Sequence, residues 1–406
     1  MFRIGQEEID AFTRVIKSKE LFRIGSKNQE VDNFEKELAE KVSVDYALFL
    51  TGGTPAIISG LIGLGVGPGD EVIVPAYTFM ASALAVTAIG AIPVIVEVDE
   101  TLTIDPEDVE RNISPYTKVI MPVHMLGFPC NMDKIMDIAN RHNVKVLEDA
   151  CQAVGGSYKG RRLGSIGHVG AYSFNYYKIV SCGEGGALLT NDREVFERAV
   201  YQHDGGSTFR EDYLQTAKGP AEDLGTYPIY SEFATPVFAG MQWRQSEING
   251  AIMRVQLRRL DGILADLRSV KKQITAGLSD TRLGFLRSND PQGDCSTHLG
   301  FIFRNEEKAR LFAESQGVNG SLPIDSGRHV YTNWEPIMHK RGACHPAMNP
   351  FKLPANQGLN CDYRDDMCPT TLDLLSRTVC IPMNPDWTEE EIQIRIDSIK
   401  AAAQRL

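Results

Sequence analysis

Ala171–Gly186, AYSFNYYKIVSCGEGG, sets one lysine, Lys178, between a short aromatic strand-like run and a glycine-rich loop. A lysine amine can form a Schiff base with a carbonyl cofactor. Ser173, upstream in the same stretch, offers a hydroxyl that can hold a phosphate. Gly183, Gly185 and Gly186 permit unusual backbone angles and let the main chain come close to a bound group. On these residues alone, a surface lysine beside an ordinary loop is a competing reading.

Working outward, the flanking chain alternates short apolar runs with helical patterns. Tyr46–Leu50, Glu71–Pro75, Ile92–Val96, Lys118–Val123 and Val144–Glu148 read as strands. Ala56–Leu64, Met80–Ile89, Pro106–Ile113 and Met132–His142 read as helices between them, preceded by amphipathic helices at Glu7–Lys19 and Asn28–Lys41. The alternation predicts an α/β fold with a mostly parallel sheet covered on both faces. Residues just past the strand ends of such a sheet share a crevice. Phe79, His124, Asp149, Gln152, Ser173 and Lys178 fall at those positions. Thr51-Gly52-Gly53-Thr54-Pro55 joins a strand to a helix, where free amides and the helix dipole favour an anion. A plain strand–helix connection is the alternative there. His124 reads equally as a packing residue near the crevice.

Downstream, Arg193–Tyr201 reads as a helix, and Gly205–Gly240, rich in Gly, Pro, Tyr and Thr, as a long functional loop. A helix is predicted over Gln245–Arg268. Leu299–Phe303, Leu322–Pro323 and Val379–Pro382 are candidate strands, with helices at Glu306–Glu314 and Glu389–Gln404. The expected division is residues 1–259 as a large domain with N-terminal helices and 260–406 as a smaller α+β domain. Tyr331–Asn360 has no clear period.

The 406 residues carry a net charge of -11, which argues against a nucleic-acid partner and leaves a small anion possible. Eight cysteines without a CxxC pair point away from a metal cluster or a disulfide framework, and no metal is expected. The N-terminus has no signal-peptide run, and no stretch reaches the roughly 18 apolar residues of a membrane span. A cytoplasmic protein is the expectation.

With Lys178, Asp149 and Thr54 in view, the stretches GGTPAI, GDEVIVPAYTFMAS, AIPVIVEVD, PVHMLGF, VLEDACQAVGGSYKGRRLGSIG, AYSFNYYKIVSCGEGG and TVCIPMNPDWTEEEI form an ordered set. This set resembles the DegT/DnrJ/StrS sugar aminotransferases, which use pyridoxal 5'-phosphate and have the type I (aspartate aminotransferase-like) fold. The resemblance implies a large pyridoxal-phosphate-binding domain. Lys178 would be the Schiff-base lysine and proton carrier, and Asp149 the acid facing the pyridine nitrogen. Gln152 would contact the ring hydroxyl, Phe79 would stack on the ring, and Gly53, Thr54 and Ser173 would hold the phosphate. Two departures stand out: Pro55 lacks an amide that relatives often give the phosphate, and Gln242 stands where relatives usually have asparagine. In the family this position reaches the phosphate of the neighbouring subunit, which implies a homodimer with shared active sites. His203, Arg328 and His329 are the candidate substrate contacts.

The implied activity is transamination, with glutamate as donor and a keto sugar as acceptor. Relatives act on nucleotide-linked keto sugars, on keto-cyclitols, or on an oxidised octulosonate (8-oxo-3-deoxy-octulosonate), a lipopolysaccharide sugar precursor that becomes its 8-amino form. Tyr331–Asn360, with Arg328, His329 and Arg341 near it in sequence, favours the last of these as a holder of a free carboxylate. A related dehydratase class replaces the lysine with histidine, against which Lys178 argues. A non-catalytic pyridoxal-phosphate-binding regulator is the alternative outside enzymes.

Overall fold

Side chains of a strand point alternately to its two faces, and here each face has its own apolar core. Ala47 and Phe49 enter one core, Leu48 and Leu50 the other; Ile73 enters the first, Val72 and Val74 the second. A computed structural model describes residues 3–206 and 238–406. The strands are β1 (Tyr46–Leu50), β2 (Glu71–Pro75), β3 (Ile92–Val96), β4 (Thr117–Ile120) and β5 (Lys145–Asp149), then a small hairpin β6 (Ser157–Tyr158) and β7 (Arg161–Arg162), then β8 (Val169–Ser173) and β9 (Gly186–Thr190). Seven of them form one sheet in the order β1-β9-β8-β5-β4-β2-β3. β9 runs antiparallel to both its neighbours, and the other pairings are parallel. All five residues of β2, β3, β8 and β9 are buried, as a sheet covered on both faces requires.

The covering helices are α1 (Gln6–Ser18), α2 (Glu30–Val42), α3 (Gly53–Gly63), α4 (Ala81–Ala88), α5 (Pro106–Arg111), α6 (Met132–His142), α7 (Arg193–His203) and α8 (Glu247–Gly277). Glu247, at the start of α8, is fully buried and accepts the N–H groups of Glu30 (2.7 Å) and Val31 (3.2 Å) and the Ser26 hydroxyl (3.0 Å). A carboxylate at the amide end of α2 satisfies donors that no helical carbonyl reaches. α8 runs nine residues past its expected end at Arg268 and passes through residue 260, so the two expected domains share this helix.

The C-terminal part has an antiparallel sheet of β10 (Gly284–Phe285), β11 (His298–Ile302) and β12 (Thr378–Pro382). Leu322–Pro323 is no strand: Pro323 opens a single 3-10 turn, Pro323–Asp325, and only Ser321 pairs with Cys380. Tyr331–Asn360 is a string of one-turn helices, and Pro336, Pro346, Pro350 and Pro354 lie in their first turns. Turns of three or four residues are too short to show a helical period. Asn356 fastens the string to the large sheet's connections, donating to Gly90 O (2.8 Å) and accepting from Gly69 N (2.6 Å). The expected loop Gly205–Gly240 lies, from 207 to 237, outside the described residues. No helix among the described residues is long and apolar enough to cross a membrane.

Candidate active site

β8 and β9 form a hairpin, with Ser173 paired to Gly186, and Lys178 lies in the connection between them. The connection is closed by Phe174 N donating to Gly185 O (2.7 Å), Tyr176 N to Gly183 O (2.9 Å) and Cys182 N to Phe174 O (3.2 Å). Gly183 has a φ of +89°, which favours glycine. Gly186 serves close approach: a Cβ there would lie 2.3 Å from the backbone of Gly52 and 2.6 Å from Gly53 N. The motif's glycines thus press the lysine-bearing hairpin against the turn that begins α3.

That turn is the next wall. Gly52 caps α3, and Gly53, Thr54 and Pro55 are its first three residues. Ala56 N already bonds Gly52 O (3.1 Å) and Pro55 has no N–H, so the first turn offers the amides of Gly53 and Thr54. The Ser173 hydroxyl adjoins them: a Cβ at Gly53 would meet Ser173 Cβ at 3.0 Å and Cys151 Sγ at 2.8 Å. Burial, and the Asp149 charge, push the Cys151 thiol well up, so it stays neutral.

Asp149 ends β5 and is 5% exposed. Its Oδ1 accepts Cys151 N–H (3.1 Å) and its Oδ2 accepts the Ser82 hydroxyl (2.7 Å). Glu148, just before it, points the other way and is fully buried. It accepts N–H groups of Gly164, Ile166 and Gly167 and pairs with His124 Nε2 at 3.0 Å. Cys130 N–H donates to His124 Nδ1 (3.1 Å), so His124 is a fully satisfied interior residue. Gln152 Oε1 accepts Leu126 N–H (3.1 Å), which leaves the amide's own N–H groups available. Phe79, 42% exposed, lies 5.4 Å from the His329 ring between centroids. His329 Nδ1 donates to Ser326 O (3.1 Å). Burial, with Lys178 nearby, lowers its pKa, so the ring is neutral near pH 7.

Gly53, Thr54, Phe79, Asp149, Gln152, Ser173, Lys178 and His329 line one cavity of about 660 Å³. Two of the expected substrate contacts, His203 and Arg328, do not line it, and neither does Gln242, which was expected at the phosphate of a neighbouring subunit. Gln242 is exposed and pairs through its backbone with Asp204. His203 is fully buried at the end of α7, its Nδ1 3.2 Å from Val200 O. Arg328 is exposed, and its carbonyl accepts Met80 N–H and Trp334 Nε1–H. Thr78, Ser82, Tyr177 and Glu184 line the cavity without having been singled out in the sequence. Tyr177 lies in the aromatic run before Lys178 and Glu184 in the glycine-rich loop after it, whereas Thr78 and Ser82 carry no such mark. Among the described residues no group of three or more His, Cys, Asp or Glu side chains could hold a metal ion.

The residues fit pyridoxal phosphate. A lysine amine, a buried carboxylate, an aromatic face and a helix N-terminus with two free amides and a serine hydroxyl surround one space, and a Cβ at Gly53 would clash with the Cys151 and Ser173 side chains on its wall. Fold and site together define an aminotransferase of the type I pyridoxal-phosphate fold. Residues 3–320 match the model of the DegT/DnrJ/EryC1/StrS aminotransferase family, and the chain belongs to that family. It is 37% identical over 294 residues, 71% of each chain, to the dTDP-3-amino-3,4,6-trideoxy-alpha-D-glucose transaminase of Streptomyces venezuelae. It is 30% identical over 98% of this chain and 94% of the other to the spore coat polysaccharide biosynthesis protein SpsC of Bacillus subtilis. Among solved structures, the aminotransferase from Psychrobacter cryohalolentis superposes with a TM-score of 0.78 at 28% identity, covering 99% of this chain and 98% of that one.

Proposed function

We propose that this protein moves an amino group from glutamate to the keto group of a sugar in two half-reactions, using pyridoxal phosphate. The observation that carries the reading is that Lys178 and Asp149 line the same cavity, with the start of α3 on its wall. The cofactor supplies an aldehyde that captures amines and a ring that takes up electrons. Lys178 would hold the aldehyde carbon, and its amine would serve as the proton carrier. Asp149 would keep the ring nitrogen protonated. Gln152 would donate to the ring hydroxyl, Phe79 would cover one ring face, and Gly53, Thr54 and Ser173 would hold the phosphate.

The acceptor best supported is a nucleotide-linked keto sugar, because the Streptomyces relative is named for a dTDP-linked amino sugar, which is what amination of such an acceptor would give. Arg328, exposed beside the cavity-lining His329, supports a second reading, an acceptor with a free carboxylate such as 8-oxo-3-deoxy-octulosonate. Arg341, the other arginine considered for that role, pairs with Glu335 at 2.8 Å. Gln242, exposed and outside its own chain's cavity, supports a homodimer in which it reaches the neighbour's phosphate.

The test is spectroscopic and then synthetic. The holoprotein is expected to absorb at roughly 400–430 nm, and glutamate should bleach that band. A band that glutamate leaves unchanged would point to a regulator instead. A panel of nucleotide-linked keto sugars, keto-cyclitols and the keto sugar acid then separates the acceptors: amination of the sugar acid alone would reverse the preference stated here.

A further inference from the structure

The Asp149 carboxylate is held by a chain of hydroxyls that runs back into the protein. Ser82 lies in the first turn of α4 and is 1% exposed, as is Thr78. Ser82 Oγ is 2.7 Å from Asp149 Oδ2 and 2.8 Å from Thr78 Oγ1. A serine hydroxyl has one proton, and an ionised carboxylate can only accept. The short contact to Asp149 therefore takes the Ser82 proton, and the Thr78 hydroxyl donates to Ser82. The alternative acceptor, Phe79 O, is farther from both, at 3.3 and 3.4 Å. The direction is fixed: Thr78 to Ser82 to Asp149. With Cys151 N–H on Oδ1, each carboxylate oxygen carries one donor. The plane of the carboxylate is set before any ligand arrives.

The segment bearing these hydroxyls is itself strapped down. Thr78 N donates to His329 O and Met80 N to Arg328 O, both at 2.9 Å. Phe79 lies between them. The turn that offers an aromatic face to the cavity is the turn that orients the acid.

We infer that Ser82 is a positioning residue that fixes Asp149 so that a remaining lone pair meets the cofactor's ring nitrogen, with Thr78 holding Ser82 in turn. The inference rests on the reading of Asp149 as the ring-nitrogen partner. A charge-assisted hydrogen bond in a buried site is worth enough to change affinity by about 10-fold or more.

The experiment compares two ligands: pyridoxal phosphate and its 1-deaza analogue, in which a C–H replaces the ring nitrogen. Both keep the aldehyde for Lys178 and the phosphate for α3. Apoprotein is titrated with each, and binding is followed by cofactor absorbance. The wild type should prefer pyridoxal phosphate. Ser82→Ala should bind it about 10-fold more weakly and bind the deaza analogue as the wild type does. Ser82→Thr, which keeps the hydroxyl, should restore the preference, and Thr78→Val should lose part of it. Equal weakening of both ligands, or of neither, in S82A overturns the Ser82 role while Asp149 stands. A wild type that does not distinguish the two ligands overturns the reading of Asp149 and the role of Ser82 together. Should S82A fail to fold, T78V and S82T carry the same comparison.

Discussion

Asp149 is 5% exposed with a donor on each oxygen, whereas Tyr177, on the wall of the same cavity, is 82% exposed. The floor, comprising Asp149, Ser82, Gln152 and Ser173, comes from strand ends and helix starts, and each residue except Ser173 is held by a hydrogen bond from another element. The mouth, comprising Tyr177, Glu184, Phe79 and His329, comes from the β8–β9 connection, the turn before α4 and a 3-10 turn that ends at His329. There, Glu184 is exposed and held by Asn175 Nδ2 at 2.9 Å. Packed elements fix geometry to a fraction of an ångström, while exposed loop side chains gain little from any single arrangement. The division suits an enzyme whose cofactor chemistry is constant and whose acceptor varies among relatives. It also says where substitutions should hurt most.

The largest effect is expected at the residue that joins the two regions. Lys178→Ala removes both the covalent anchor and the proton carrier, so transfer should fall by more than the ~10²–10⁴-fold of a lost acid–base group. The check is product formation together with the glutamate-bleachable band, at unchanged thermal stability. Transfer within tenfold of wild type would end the claim that this cavity is the reaction site. Next comes the floor. Asp149→Asn keeps the shape and can still accept from Ser82, yet lacks the charge. A loss of roughly 10²–10³-fold in the glutamate half-reaction is expected, the scale of a removed electrostatic stabiliser. Rates measured by stopped flow decide it; a loss no larger than that of a substitution at Tyr177 would erase the distinction between floor and mouth.

The phosphate residues are where a second copy would add a contact. If Gln242 serves the neighbour's phosphate, K178A and Q242A chains are each impaired alone, yet mixed pairs contain one site with both residues intact. Random mixing of the two chains should then recover roughly a quarter of wild-type activity. No recovery on mixing, with each variant folded and dimeric, would mean that Gln242 works within its own chain or not at all.

How legible each region was follows from the range of the contacts involved. The sheet and its helices are visible as alternation because each strand is a local apolar run, and β1 through β5 lie within a few residues of their expected bounds. Asp149 is visible because a strand end is itself a sequence position, and Lys178 because it stands between a strand and a glycine-rich loop. Ser82 is not. In YTFMASALAV it reads as one small residue in a helix, and its role exists only because α4 begins beside the end of β5, 67 residues away in the chain. His203 shows the opposite failure: a histidine between polar residues and glycines reads as a pocket contact, but α7 continues to His203 and buries it. The string of turns over Tyr331–Asn360 is held by the buried Tyr331, Trp334 and Ile337 and by the Asn349 and Asn356 amides, irregularly spaced anchors that no periodicity records.

Long-range support of the floor yields the smallest and most specific expectation. Leu126, a non-glycine residue at φ +53°, donates its N–H to Gln152 Oε1 (3.1 Å) and accepts at its carbonyl the Thr297 hydroxyl (2.6 Å). Leucine reaches the left-handed region only at some cost, and Thr297, next to β11, is the group that holds the peptide there. Thr297→Val keeps the volume and removes the donor. The same hydroxyl also takes His298 Nδ1 at 3.2 Å, so two contacts are lost; the Leu126 contact is worth about 1 kcal/mol, and passed wholly to the Gln152 amide it should weaken cofactor affinity about fivefold. If the effect passes through Leu126 to the Gln152 amide, T297V should cost little more in a Q152A background, whereas independent effects would add. Additivity in that cycle would show that the C-terminal sheet supports the chain generally and leaves the ring-hydroxyl contact to β5 and its own turn.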